Sequence, residues 1–262
     1  MTMEETFSPM AAAHRLASAS LTGLALKALP EDERPKNLVQ AYAVQAALVE
    51  KLGEGVAGWK LAGASPRGLR GELPNSPATG ILLPSRVVGS GAEIQIPPGR
   101  NATMEVEVVF RFGREVLPAE EPFDTSMLDC AMLAVEVVCS RFTDRKSVGQ
   151  ASFVADNIGF HALICGDELQ PVTQSTFDDE VGLWRDGERI AVGLQGEDRT
   201  KPFLSLGFLW ESLGKRGVVM PLGAAVTTGS LTVPADVSGR GDFEARLGNA
   251  KVRFSLTSSD SF

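Results

Sequence analysis

Histidine and cysteine are scarce in this chain of 262 residues, and their scarcity removes several kinds of chemistry at once. Two histidines, His14 and His161, are too few for a His-rich zinc centre. A Ser-His-Asp triad would have to recruit one of them, and no G-x-S-x-G elbow supplies its serine. His14 falls in an expected surface helix. His161 falls in an expected strand, where a packed core histidine is the simplest account. The cysteines Cys130, Cys139 and Cys165 are odd in number and lack C-x-x-C spacing. That argues against a disulfide framework or a thiolate zinc site and fits a reducing cytoplasm. Long apolar runs are missing too. No stretch reaches the length of a membrane span. The partly apolar segment 11–29 is broken by His14, Arg15 and Lys27, without the order of a signal peptide. Nor is there a surplus of positive charge. The net charge of −8, with no Lys/Arg cluster interleaved with aromatics, argues against nucleic acid as a partner.

What is present is ordinary globular material, 44% hydrophobic and 22% charged, so disorder is not expected over most of the length. The spacing predicts a helix over 8–29, with Ser8 as N-cap and Pro9 at the first helical position. A charged linker spans 30–35. A second helix is predicted over 37–52, with Ala41, Val44, Leu48 and Leu52 on one face and Gly53 as its stop. From residue 56 the pattern turns to short strands: 58–62, 80–83, 93–96, a strand through 104–112, one around Glu136, and 160–165. A short helix is expected from Ser65 to Leu73, the start of another over 125–130, and a loop over 152–157. A hairpin turning at Asp186-Gly187 is expected over 184–192. A helix over 203–213 follows, then short strands at 225–228 and 231–233, and a hairpin of 243–247 with 252–256. Many short strands among few helices describe an α+β protein that is mainly β.

One motif stands out against this background. Met104-Glu105-Val106-Glu107-Val108-Val109-Phe110 reads as a strand. Side chains alternate in a strand, so Glu105 and Glu107 share a face. On its own such a pair is most often a solvated outer face. Glu136 changes that balance, because nothing else from 130 to 139 except this residue is charged. A run so apolar reads as a buried strand. A buried carboxylate must be paired, protonated or bound to a cation. Three such groups favour a hard divalent cation such as Mg²⁺ or Mn²⁺, whose ligands are oxygens. Lys60, flanked by Trp59 and Leu61, either snorkels to water or faces these carboxylates. In the second case it is a candidate proton donor and acceptor. Arg141, Asp156-Asn157 and Thr228-Gly229 sit at strand ends, where polar residues make turns and also build pockets.

In this order, these segments resemble the 2-keto-4-pentenoate hydratase family within the fumarylacetoacetate hydrolase-like superfamily. The matching pieces are G-W-K at 58–60, M-E-V-E-V at 104–108, A-V-E-V-V-C-S-R at 134–141, V-A-D-N at 154–157 and T-T-G at 227–229. The likeness runs from about residue 10 to 256, and the 134–141 stretch points to the family's hydratase and decarboxylase branch. It implies a mainly β, barrel-like roll over 57–262, preceded by a small N-terminal helical region over 1–56. It implies Glu105, Glu107 and Glu136 as ligands of Mg²⁺ or Mn²⁺ and Lys60 as the active-site lysine. Leu61, Arg141, Asp156, Asn157, Thr228 and Gly229 become the expected substrate-binding residues. The implied activity is addition of water to a short 2-hydroxydienoic or 2-oxo-enoic acid from aromatic catabolism, by a cytoplasmic homo-oligomer. Decarboxylation of a 2-oxo diacid is the alternative. Two positions depart from the pattern. Ala78 stands where the family has an acid/base aspartate, and Ile158, Gly159 and Phe160 follow Asn157 where the family often has a serine. The region from Gly193 to Pro202 is altered as well. A catalytically weak or inactive relative that binds a 2-oxo acid, or assembles with an active partner subunit, is the reading these departures favour.

Overall fold

The computed structural model of the chain describes residues 7–64 and 77–258. The helix expected over 65–73 lies outside the described residues.

Two helices lead the chain, α1 (Pro9–Thr22) and α2 (Leu38–Lys51). Pro9 opens α1 as expected, but the helix stops seven residues before Leu29. Gly23 takes a left-handed conformation (φ 72°), and its N–H bonds back to Ala19 O, so the chain leaves the helix there. The apolar residues beyond it are still buried in part, as irregular backbone. Leu26 pairs with the chain at 141–143, its N–H bonding Arg141 O at 2.9 Å. The second helix starts where Asn37 accepts the Gln40 N–H.

Among the described residues, thirteen strands follow, in two sheets. The larger sheet holds β1 (Gly58–Ala62), β2 (Ala78–Leu82), β3 (Val87–Gly89), β5 (Ala102–Phe112), β6 (Leu128–Val138), β7 (Phe160–Glu168), β10 (Ala225–Thr227) and β11 (Ala235–Val237). Its order is β2-β1-β10-β5-β6-β7-β3, with β11 on the far end of β5. The smaller sheet is β4-β13-β12-β8-β9, made of β4 (Ala92–Ile96), β8 (Val181–Arg185), β9 (Glu188–Val192), β12 (Gly241–Leu247) and β13 (Ala250–Ser258). Three further helices are α3 (Gly149–Ala155), α4 (Gln174–Phe177) and α5 (Pro202–Lys215). This is the mainly β, α+β architecture expected from the sequence.

Several local expectations are corrected. Residues 152–155 are the buried last turn of α3 rather than a loop, because Phe153, Val154 and Ala155 pack against α1 and α2. Residues 125–127 make a single 3₁₀ turn capped by Asp124, and β6 begins at once from Leu128. The segment 231–233 is no strand; only Thr232 bridges to Gly193. The hairpin at Asp186-Gly187 forms with both residues at positive φ (51° and 87°), the twist a two-residue turn requires.

The long pair β5–β6 is buried on both faces, which explains its nearly unbroken apolar reading. Val106, Val108, Phe110, Leu133, Val135 and Val137 face the smaller sheet and α5 in the main core, with Leu183, Phe243, Val252, Leu206 and Leu209. The opposite face is enclosed because the larger sheet rolls. Its outermost strand β2 comes back to the start of β7, where Asn157 bonds both Ile81 N and Ile81 O at 2.7 Å. Leu82, Phe160 and Leu163 then meet Val109 and Ala134 in one apolar cluster at the bottom of the roll. The leading helices close it from the side. Their Ala12, Leu16, Val44 and Leu48 share a cluster with Ala78, Phe142, Phe153 and Ile158.

Candidate metal centre

The antiparallel register of β5 and β6 sets Glu105 directly across from Glu136 and Glu107 across from Ala134. Directly opposed residues stand about 5 Å apart at Cβ. The three glutamates therefore share the enclosed face of the roll, above Val109, Ala134 and Leu163. One carboxylate oxygen from each lies within 4.8 Å of the others. Glu107 and Glu136 are fully buried, and Glu105 is half-buried.

Lys60 comes from the neighbouring part of the same face. β1 lies between β2 and β10, and its Lys60 is buried at 2% exposure. The Lys60 ammonium donates to Glu136 Oε1 and, at 3.3 Å, to Ile158 O. Of the two sequence-based possibilities for this lysine, the structure holds the one facing the carboxylates.

One ammonium does not balance three carboxylates in a buried setting. Burial raises the Glu107 carboxyl well above the usual range, and the nearby Glu136 and Glu105 add to the rise. Burial pushes Glu136 up to about 7, even though Lys60 pulls it down. Each buried glutamate also has one satisfied and one unsatisfied oxygen. Glu107 Oε2 accepts the Gly229 N–H at 2.8 Å. Glu107 Oε1 and Glu136 Oε2 have no hydrogen-bond partner among the described residues. Unpaired buried oxygens are costly, and a hard divalent cation takes such oxygens as ligands. The donor set fits the ion.

The expected substrate-binding residues fall into two groups. Thr228 and Gly229 reach the centre through the loop after β10. Thr228 Oγ1 donates to Val108 O at 3.0 Å, which locks the loop to β5 and leaves Gly229 N–H on Glu107. Leu61 points its side chain away from Lys60 into the main core, while its carbonyl lies beside Gly229. Arg141, Asp156 and Asn157 spend their polar atoms on the protein. Arg141 Nη1 bonds Asp156 Oδ1 (3.3 Å) and Asp156 O (2.9 Å), and its Nη2 bonds Phe160 O (3.0 Å). Asp156 Oδ2 also accepts Ser140 Oγ at 2.7 Å. Burial raises the Asp156 carboxyl against the pull of Arg141. Asn157 uses both ends of its amide on Ile81.

Sequence reasoning missed Gly80, Ile158 and Thr227. Gly80 faces Lys60 across β1 and β2. Ile158 supplies a carbonyl to the lysine. Thr227 Oγ1, buried on the same face, is without a hydrogen-bond partner among the described residues. A glycine paired with the one lysine of an apolar strand was the available signal, but it needs the strand register to be read. His161, expected as a packed core histidine, is instead half-buried and hydrogen-bonded at both ring nitrogens. Arg86 Nη1 lies 3.3 Å from its Nδ1, and its Nε2 lies 2.9 Å from Gln95 O. Arginine only donates, so His161 accepts at Nδ1 and donates from Nε2. Burial and Arg86 push its pKa down to about 4.

The fold built around this centre is fumarylacetoacetate hydrolase-like. It matches 4-oxalocrotonate decarboxylase from Pseudomonas putida G7, solved with magnesium and adipate, at a TM-score of 0.80 over 98% of both chains, with 22% identity. A probable 2-hydroxyhepta-2,4-diene-1,7-dioate isomerase from Mycobacterium abscessus shares it more loosely, at a TM-score of 0.53 and 15% identity over 78% of this chain and 76% of that one. The 5-carboxymethyl-2-hydroxymuconate delta-isomerase from Mycobacterium smegmatis gives 0.51 and 14%, over 79% and 82%. Neither a protein-family model nor a curated protein sequence matches the chain.

Proposed function

We propose that the protein is a divalent-metal-dependent lyase acting on short 2-oxo acids, with Glu105, Glu107 and Glu136 holding Mg²⁺ or Mn²⁺. The observation that carries this reading is the pair of unsatisfied buried oxygens on Glu107 and Glu136, facing one another beside the single ammonium of Lys60. When bound, the ion supplies Lewis-acid stabilisation of negative charge on a substrate oxygen. The protein itself supplies the proton. Lys60 donates to or accepts from the substrate's carbon skeleton as the 2-oxo group and its enol interconvert. The apolar cluster of Leu82, Val109, Ala134, Phe160 and Leu163 keeps bulk water from the bottom of the site.

Decarboxylation of a 2-oxo diacid is the reaction the geometry supports best. There the bond to a departing carboxylate breaks, its electron pair flows toward the 2-oxo oxygen, carbon dioxide leaves, and one proton from Lys60 completes the product. One proton-transfer group suffices. Beside Lys60 stand Glu136, which the ion would claim as a ligand, the Ile158 carbonyl, and Gly80, whose missing side chain leaves room for the lysine stem. The decarboxylase from Pseudomonas putida G7, whose fold this chain shares over 98% of its length, supports the same choice. Hydration of a 2-hydroxydienoic acid is the second reading, carried by the A-V-E-V-V-C-S-R segment at 134–141.

The test is to incubate the purified protein with Mn²⁺ and either a 2-oxo-enedioate or a 2-hydroxydienoate. Carbon dioxide release from the first supports decarboxylation. Loss of dienoate absorbance from the second, without carbon dioxide, supports hydration. Neither signal across several chain lengths rejects the enzyme reading and leaves a 2-oxo-acid binder or partner subunit.

A further inference from the structure

Between α3 and β7 two non-glycine residues carry left-handed backbone, Asn157 (φ 53°) and Ile158 (φ 52°). Asparagine tolerates this region; a β-branched side chain there is a genuine outlier. Strain of this kind persists only where the surroundings enforce it. Here the surroundings enforce it from four sides. Asp156 is pinned by Arg141 and Ser140. Asn157 is tied through its amide to both backbone atoms of Ile81. Gln45 of α2 donates from one nitrogen to Thr79 O and Val154 O, joining β2 to α3. Gly159, also left-handed (φ 65°), passes so close to Val138 that a Cβ would stand 2.9 Å from its Cγ1.

The effect of this turn is to aim the Ile158 carbonyl at the Lys60 ammonium. On the other side of the lysine, Gly80 leaves room for its stem. A Cβ at Gly80 would lie 2.7 Å from Lys60 Cγ and 3.0 Å from Cδ, and 3.1 Å from Asn157 O. The methylenes have nowhere to retreat, since the side chain is buried.

We infer that Gly80 and the Asn157–Ile158 turn form a clamp that fixes the direction of the Lys60 side chain, with Gly80, Asn157 and Ile158 acting as positioning residues. Asp156 and Arg141 brace the turn. The catalytic consequence rests on the function proposed above, while the clamp itself does not. Its logic is that proton transfer needs the ammonium at one place, and a four-carbon stem does not stay there unaided.

A stability cycle tests the clamp without any substrate. Gly80→Ala is made in the parent and in Lys60→Ala, and urea midpoints are measured without metal. Gly80 has no positive φ, so alanine is conformationally acceptable there. A lowered midpoint is expected in the parent and a clearly smaller loss in Lys60→Ala, where Cγ and Cδ are gone and only the approach to Asn157 O remains. Equal loss in both backgrounds overturns the clamp.

Turnover tests its purpose. Gly80→Ala is expected to lower kcat by about 10²-fold while KM changes little, as a displaced proton donor does. It should cost nothing further in Lys60→Ala. Ile158→Gly removes a buried side chain together with the left-handed strain, so its midpoint should fall; the reading that separates positioning from mere packing is kinetic, kcat falling while KM for the substrate stays near the parent's. Full kcat in folded Ile158→Gly overturns the positioning role. Should no substrate turn over in the parent, the urea cycle still decides the clamp, and only the proposed function fails.

Discussion

Glu105 and Glu136 oppose each other in register across β5 and β6, on the enclosed face of the sheet, and Lys60 donates to the second of them. Like charges directly opposite destabilise a sheet. The arrangement costs stability as a bare protein and is recovered by a cation.

The first prediction follows from that cost. Glu107→Gln removes a buried, unpaired charge, so without metal at pH 8 its urea midpoint should exceed that of the parent. Its Mn²⁺ affinity should fall by about 100-fold or more. Calorimetric titration measures the second quantity, and unchanged Mn²⁺ binding in Glu107→Gln or Glu136→Gln would reject the ligand assignment.

Cation binding should release protons. Burial raises the Glu136 carboxyl to about 7 and raises Glu107 as well, and cation binding needs both ionised. Affinity for Mn²⁺ should therefore climb from about pH 5 to pH 8, where the ordinary carboxylate range ends and the raised one is passed. The same shift has an opposite sign for the metal-free fold. A carboxyl raised in the folded state stabilises it below the ordinary carboxylate value and loses that contribution as pH rises through about 7. Calorimetry in two buffers of different ionisation enthalpy reads the proton release directly.

Lys60→Ala should reduce turnover by about 10²- to 10⁴-fold, the usual worth of a placed proton-transfer group. Mn²⁺ binding should survive, since the substitution removes no ligand. A variant as active as the parent rules out the proton role.

His161 governs the acid side. Its folded pKa, pushed down to about 4, lies below the ordinary histidine value of about 6.5. The unfolded chain then takes up a proton that the folded one refuses, so stability is lost as pH falls from about 6.5 to about 4. His161→Gln should flatten that part of the urea midpoint-against-pH curve.

Arg141→Ala should destabilise the protein by about 3–5 kcal/mol, because it leaves the buried Asp156 carboxylate without its partner. A substrate-binding arginine would instead raise KM with the midpoint unchanged. Urea denaturation alongside kinetics separates the two.

The cluster of three carboxylates was legible in the sequence because it is local. Two glutamates at i and i+2 on one strand, and a third inside an apolar run, need only strand periodicity and the cost of a buried charge. The strands of β5, β6 and the two hairpins were legible for the same reason. Tertiary effects were not. The end of α1 depends on one glycine adopting left-handed backbone in the middle of an apolar stretch. Residues 152–155 look like a loop because Asp156 and Asn157 follow them, and they become helical through packing against α1 and α2. The roles of Arg141 and Asn157 lie in pairings across 15 and 76 residues of chain, which no spacing rule reports. Gly80 becomes meaningful only once β1 and β2 are laid side by side.

Glu105 alone of the three glutamates reaches solvent. An arriving ion would meet that carboxylate first and would have to shed hydration water before reaching the inner pair. Magnesium dehydrates reluctantly. Loading should accordingly be slower for magnesium than for manganese, so that the doorway of this centre would sort the two ions by speed before any difference in affinity is felt.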